Sequence, residues 1–73
     1  MKSVNLNGVE YNVIKTVRCK KVTNVNALLD ILRVGEEYAV IEERICGGKK
    51  EYAVINRQGI KQYVFEDSFE VLE

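Results

Sequence analysis

The sequence predicts a mainly β protein, α+β at most: a small, strongly bent antiparallel sheet or barrel with an N-terminal hairpin and one short helix near residues 25–33. Three observations carry this. The phrase Tyr38-Ala39-Val40-Ile41 returns as Tyr52-Ala53-Val54-Ile55, with Cys46-Gly47-Gly48-Lys49-Lys50 between the copies, and β-branched and aromatic runs joined by glycines read as a β-hairpin. Short runs of alternating apolar and polar residues recur along the rest of the chain, marking strands with one buried face. Turn-forming residues punctuate them at short intervals, and the chain has no proline.

The first unit is Val4-Asn5-Leu6, Asn7-Gly8, Val9-Glu10-Tyr11-Asn12-Val13. Asn-Gly tolerates the left-handed angles of a two-residue turn, and Val9, Tyr11 and Val13 share one side of the second strand. The run Lys15-Thr16-Val17-Arg18-Cys19-Lys20 puts Val17 and Cys19 on one face and Arg18 and Lys20 on the other, the pattern of a half-buried strand. In the stretch from Thr23 to Gly35, Asn24 or Asn26 can cap a helix, Ala27, Leu28, Leu29 and Leu32 favour one, and Gly35 fits the position after its end. A helix of about two turns would gather Leu28, Ile31 and Leu32 on one side. The repeated hairpin follows. Asn56-Arg57-Gln58-Gly59-Ile60 is a turn, Gln62-Tyr63-Val64-Phe65 a strand, Glu66-Asp67-Ser68 a tight or 3-10 turn, and Phe69-Glu70-Val71-Leu72 a last strand.

The hairpin admits two registers. If Gly47-Gly48 alone form the loop, Arg44 faces Glu51 and the two tyrosines fall on opposite faces. If residues 46–50 form it, Tyr38, Val40, Tyr52 and Val54 share one face and Ala39, Ile41, Ala53 and Ile55 the other. The longer loop is the preferred reading. Either way neither face is polar, so something must cover both.

A chain of 73 residues makes one domain, since so short a chain buries only roughly 60% of its unfolded surface and has no room for a large cleft. Residues 1–73 are read as that single domain, with 1–14 a hairpin extension and 15–73 the barrel. Hydrophobic residues make up 47% and charged ones 30%, the balance of a globular protein rather than a disordered one. Two cysteines without a C-x-x-C pair fit reduced thiols rather than a disulfide framework. No run reaches the roughly 20 apolar residues of a membrane span, so a cytoplasmic location without membrane partners is expected. The formal charge is zero, yet residues 1–33 carry Lys2, Lys15, Arg18, Lys20, Lys21 and Arg33 against only Glu10 and Asp30, and the later residues compensate.

Gly35-Glu36-Glu37-Tyr38-Ala39-Val40, then Tyr52-Ala53-Val54-Ile55-Asn56 with Gly59, then Phe69-Glu70-Val71-Leu72 resemble the small SH3-like barrel proteins of Gram-positive bacteria and their phages. There a G-x-x-Y-x-V strand opens a hairpin and a closing F-E-V-L strand returns beside the first. The likeness covers roughly residues 15–73. It implies an SH3-like barrel and a phage or mobile-element origin, in a family whose members mostly have no assigned function.

The sequence is poor in catalytic chemistry. It has no histidine and only Ser3 and Ser68 as serines, so neither a Ser-His nor a Cys-His nucleophile pair nor a His-based metal site can be built. The pairs Glu36-Glu37 and Glu42-Glu43 split to opposite sides of a strand. Gly47-Gly48 lacks the spacing and following helix of a phosphate loop. No enzyme, metal or cofactor is expected.

Two surfaces are candidates for binding. Lys15, Arg18, Lys20 and Lys21, extended by Lys49, Lys50 and Arg57, could contact phosphates, with Tyr11 or Tyr63 as stacking faces; the acidic residues Glu66, Asp67, Glu70 and Glu73 would neutralise this patch if the last strand lies beside the first. The second face of the hairpin (Ala39, Ile41, Ala53, Ile55), together with Leu28, Leu29 and Leu32, could take a protein partner or a second copy. The preferred function is a non-enzymatic protein-binding module of phage or mobile-element origin, an accessory or inhibitor acting on a host complex. A nucleic-acid-binding barrel and a small virion or assembly component are the alternatives.

Overall fold

The computed structural model describes residues 2–22 and 29–72. Among the described residues seven strands run in chain order: β1 (Ser3–Leu6), β2 (Val9–Asn12), β3 (Lys15–Cys19), β4 (Glu37–Cys46), β5 (Lys49–Ile55), β6 (Lys61–Phe65) and β7 (Phe69–Val71), with a 3-10 turn at Glu66–Ser68. β1 and β2 form a sheet of their own, and the other five make an antiparallel sheet in the order β6-β5-β4-β3-β7. The last strand returns beside the first strand of the body, with Arg18 opposite Glu70 and Cys19 opposite Phe69. The molecule is thus mainly β and its main sheet strongly bent, but β6 and β7 are not paired with each other, so the barrel stays open.

The helix predicted over 25–33 lies largely outside the described residues. What is described corrects its end. Asp30 has a left-handed φ of 57°, and the chain from Asp30 to Gly35 is turn and bend, so no helix reaches Arg33. Backbone bonds tie the stretch down instead: Gly35 N–H donates to the Cys19 carbonyl and Arg57 N–H to the Ile31 carbonyl, both at 2.9 Å.

The repeated hairpin takes the shorter loop, not residues 46–50. Arg44 pairs with Glu51, Ile45 with Lys50 and Cys46 with Lys49 around Gly47-Gly48. That register alone would send the tyrosines to opposite faces. A β-bulge prevents it, because Glu42 opposes Ala53 while Val40, two residues earlier, opposes Val54. One extra residue on β4, at Ile41, flips the parity of everything before it. Tyr38, Val40, Tyr52 and Val54 therefore share one face and join the core with Val17, Cys19, Leu32, Val64 and Phe69. Tyr38 and Phe69 meet edge to face, their ring centroids 6.3 Å apart.

Asn56 fixes the next turn from inside. Its buried side chain accepts hydrogen bonds from the Gln58 and Ile60 N–H groups at 3.0 and 3.1 Å and donates to Gln62, an asparagine bonding its own backbone a few residues on.

Candidate functional site

On the core side, Lys15 opens β3 and stands opposite Val40. Its ammonium lies 3.2 Å from Glu43 and 5.1 Å from the centre of the Tyr52 ring. Lys50 reaches the same Glu43 oxygen at 3.3 Å. Partial burial works to raise the Glu43 carboxyl, but hydrogen bonds from Lys15 and Lys50 outweigh it and hold the group below its ordinary range, while Glu43 raises Lys50. Both lysines are spent closing one end of the core.

Arg18 points to the other side of β3. It lies between Glu37 and Glu70, at 3.5 and 3.6 Å, because antiparallel pairing puts β4 and β7 on its two flanks. Arg57 is exposed but is ion-paired within the chain. It reaches Asp30 at 2.6 Å and Glu36 at 3.2 Å, and its side chain also donates to the Asp30 carbonyl at 3.0 Å. Arg33 completes the cluster with a two-pronged contact to Asp30. Hydrogen bonds from Arg33 and then Arg57 lower the Asp30 carboxyl to about 2. Next to it the Tyr38 hydroxyl accepts the Arg33 N–H at 2.8 Å, and burial raises that phenol.

The seven cations of the expected phosphate-binding patch therefore do not form one surface. Lys15, Arg18, Lys50 and Arg57 are matched by the chain's own carboxylates. Lys20, Lys21 and Lys49 are exposed, and the first two sit beside the 3-10 turn, where both N–H groups point to the Ser68 carbonyl.

The expected protein interface is largely internal. Ala53 is 0% exposed, Ile41 is buried, and Leu32 belongs to the core; Ala39 and Ile55 are half-buried and Leu29 is exposed. Leu28 lies outside the described residues. Ala53 shows what covers the second face. Glu42, Ala53 and Tyr63 lie side by side across three strands, and the Tyr63 hydroxyl donates to the Glu42 carboxylate. The two long side chains meet across the methyl group between them. At the end nearer the N-terminus, a groove of about 370 Å³ lies between the hairpin extension and the sheet, with Val4 and Val13 on one side and Thr16 and Ala39 on the other.

A cation–aromatic cluster on this outer face is the feature the sequence reading missed. Arg44 stacks on Tyr63 with its guanidinium carbon 3.6 Å from the ring centre while binding Glu51 at 2.7 Å. Lys61 lies 5.4 Å from the same ring and Lys49 5.5 Å from that of Phe65. The signal was the register: Gly47-Gly48 as the whole loop puts Arg44, Glu51 and Phe65 in one row across the sheet. The thiols fall as their contexts imply. Cys19 is buried, its pKa raised by burial, and Cys46 is exposed beside the turn.

Among the described residues, no three His, Cys, Asp or Glu side chains cluster as metal ligands, and no helix is long and apolar enough to cross a membrane. In comparisons with known proteins, the chain matches no family model, no curated protein and no solved structure.

Proposed function

We propose that the protein is a non-enzymatic protein-binding module, an accessory or inhibitor protein of a phage or mobile element acting on a host complex in the cytoplasm. The observation that carries this reading is the open sheet with large apolar side chains exposed near both outer strands: Ile60 and Phe65 by β6, Val71 and Leu72 by β7, at 57, 47, 49 and 36%. Open strands flanked by apolar groups are where sheets recruit another chain. The phage origin is supported by the sequence resemblance, and the non-enzymatic reading by the absence of histidine, without which neither a Ser-His nor a Cys-His nucleophile pair can be built.

The nucleic-acid alternative draws less support, because ion pairs within the chain neutralise four of its seven cations and affinity for phosphates grows with the number neutralised. Sedimentation of the pure protein, followed by capture from host lysate and binding of the purified captured protein, tests the reading. A saturable one-to-one complex is expected. A strict monomer with no protein partner, or oligonucleotide binding that weakens steeply with salt, overturns it.

A further inference from the structure

Resting on the protein-binding reading, we propose that the outer edge of β6 accepts an extended, acidic segment of a partner protein as an added strand. β6 ends the five-stranded sheet, and its ladder to β5 runs from Lys61 to Phe65 without a bulge. Among the described residues no strand lies along its other side. A regular, unbulged edge is a template for strand addition, in which backbone bonds give affinity and alternate side chains give specificity.

The side chains beside this edge select the charge of the guest. Lys61, Tyr63 and Phe65 project from the outer face of β6, and Lys49 stands over Phe65. Lys49 and Lys61 have no carboxylate partner among the described residues. Arg18, Arg33, Arg44 and Arg57 are all ion-paired, as are Lys15 and Lys50. Carboxylates on alternate residues of an added strand would supply the missing partners.

Other occupants fit less well. Pairing β6 with the β6 of a second copy about Tyr63 would set Lys61 against Phe65, where Lys49 already stands, so cation would meet cation. The other outer strand, β7, has three residues, and its one charged side chain, Glu70, is held by Arg18. Nucleic acid would find the Tyr63 ring taken by Arg44 and its hydroxyl by Glu42. Edge lysines that only prevent aggregation are the plain alternative, and they require no guest.

The test is a titration of the isotope-labelled full chain, followed by backbone NMR and amide exchange, with a synthetic peptide alternating glutamate and valine at millimolar concentration. Shifts centred on Lys61–Phe65 are expected, with exchange of those amides slowed by about tenfold. The double variant Lys49→Glu with Lys61→Glu, changed only at exposed positions, should lose this response and gain one to a peptide alternating lysine and valine. No response, a response on β7 or the hairpin extension, or equal response to both peptides overturns the proposal. So does an oligothymidylate that moves the same amides with a steep salt dependence. A captured partner whose footprint avoids β6 also overturns it, and leaves the protein-binding reading standing.

Discussion

The molecule contains two hairpins built on the same turn and held very differently. β1 and β2 reverse at Asn7-Gly8, with φ of 50° and 86°; β4 and β5 reverse at Gly47-Gly48, with φ of 59° and 79°. Both loops thus have the paired positive φ angles that match the twist of adjoining strands. The first hairpin has cross-strand apolar pairs, Val4 with Tyr11 and Leu6 with Val9, but contributes no buried residue. The second contributes Tyr38, Val40, Ile41, Tyr52, Ala53 and Val54 to the buried set. Turn chemistry sets where a hairpin folds back, and burial sets how firmly it stays there, since a two-stranded ribbon alone is only marginally stable in water.

The sharpest way to break the second hairpin is Val54→Asp, which puts an unpaired carboxylate at a fully buried position opposite Val40. The cost of burying that charge is of the same order as the roughly 4–11 kcal/mol that a chain of this size commands, so cooperative thermal unfolding should vanish. Deleting Ile41 should do far less, because it removes the bulge and leaves Val40 opposite Val54. Next comes Phe69→Ala, which removes the ring packed edge-on against Tyr38; a loss of about 3–5 kcal/mol in urea unfolding is expected. A matched pair follows. Gly48→Ala places a side chain in a left-handed conformation within the loop that sets the core register and should lower global stability by about 1–2 kcal/mol. Gly8→Ala meets the same local strain, yet should leave the global transition unchanged, because the hairpin it disturbs can open alone.

The smallest effect is electrostatic. Asp30 titrates at about 2 in the folded protein against about 3.9 in an unfolded chain. Its ion pairs stabilise fully above the unfolded value, and the contribution disappears as pH falls through the folded one. The stability difference between the wild type and Asp30→Asn should therefore be flat near neutrality and shrink to nothing between about pH 4 and pH 2. The carboxylate is exposed, so solvent screening keeps the difference small.

The strands and turns were legible because each is written locally, in alternation and in glycine or asparagine at the reversals. The core was legible through the Tyr and Val positions of the repeat, although the loop assumed for it was wrong. The longer loop and the shorter loop with a bulge bury the same residues, and nothing in the composition of Ile41 marks it as the inserted one. The candidate site was the least legible. Which of eleven cations stay unpaired depends on contacts such as Arg57 with Asp30 and Arg18 with Glu70, made between residues far apart in the chain. The end of the leucine-rich stretch was illegible for a similar reason: Leu32 enters the core in a segment held by backbone bonds of Ile31 with Arg57 and of Gly35 with Cys19, which its neighbours in sequence do not announce.

Native-state amide exchange on the full chain tests most directly the claim that the β4–β5 hairpin holds the molecule and the N-terminal hairpin rides on it. Hydrogen-bonded amides of β4 and β5, around Val40, Tyr52 and Val54, should exchange only through global unfolding and slow in step with its free energy, whereas those of β1 and β2 should exchange through local opening that denaturant does not change. Equal protection in the two hairpins, or faster exchange in β4 and β5, would contradict the account.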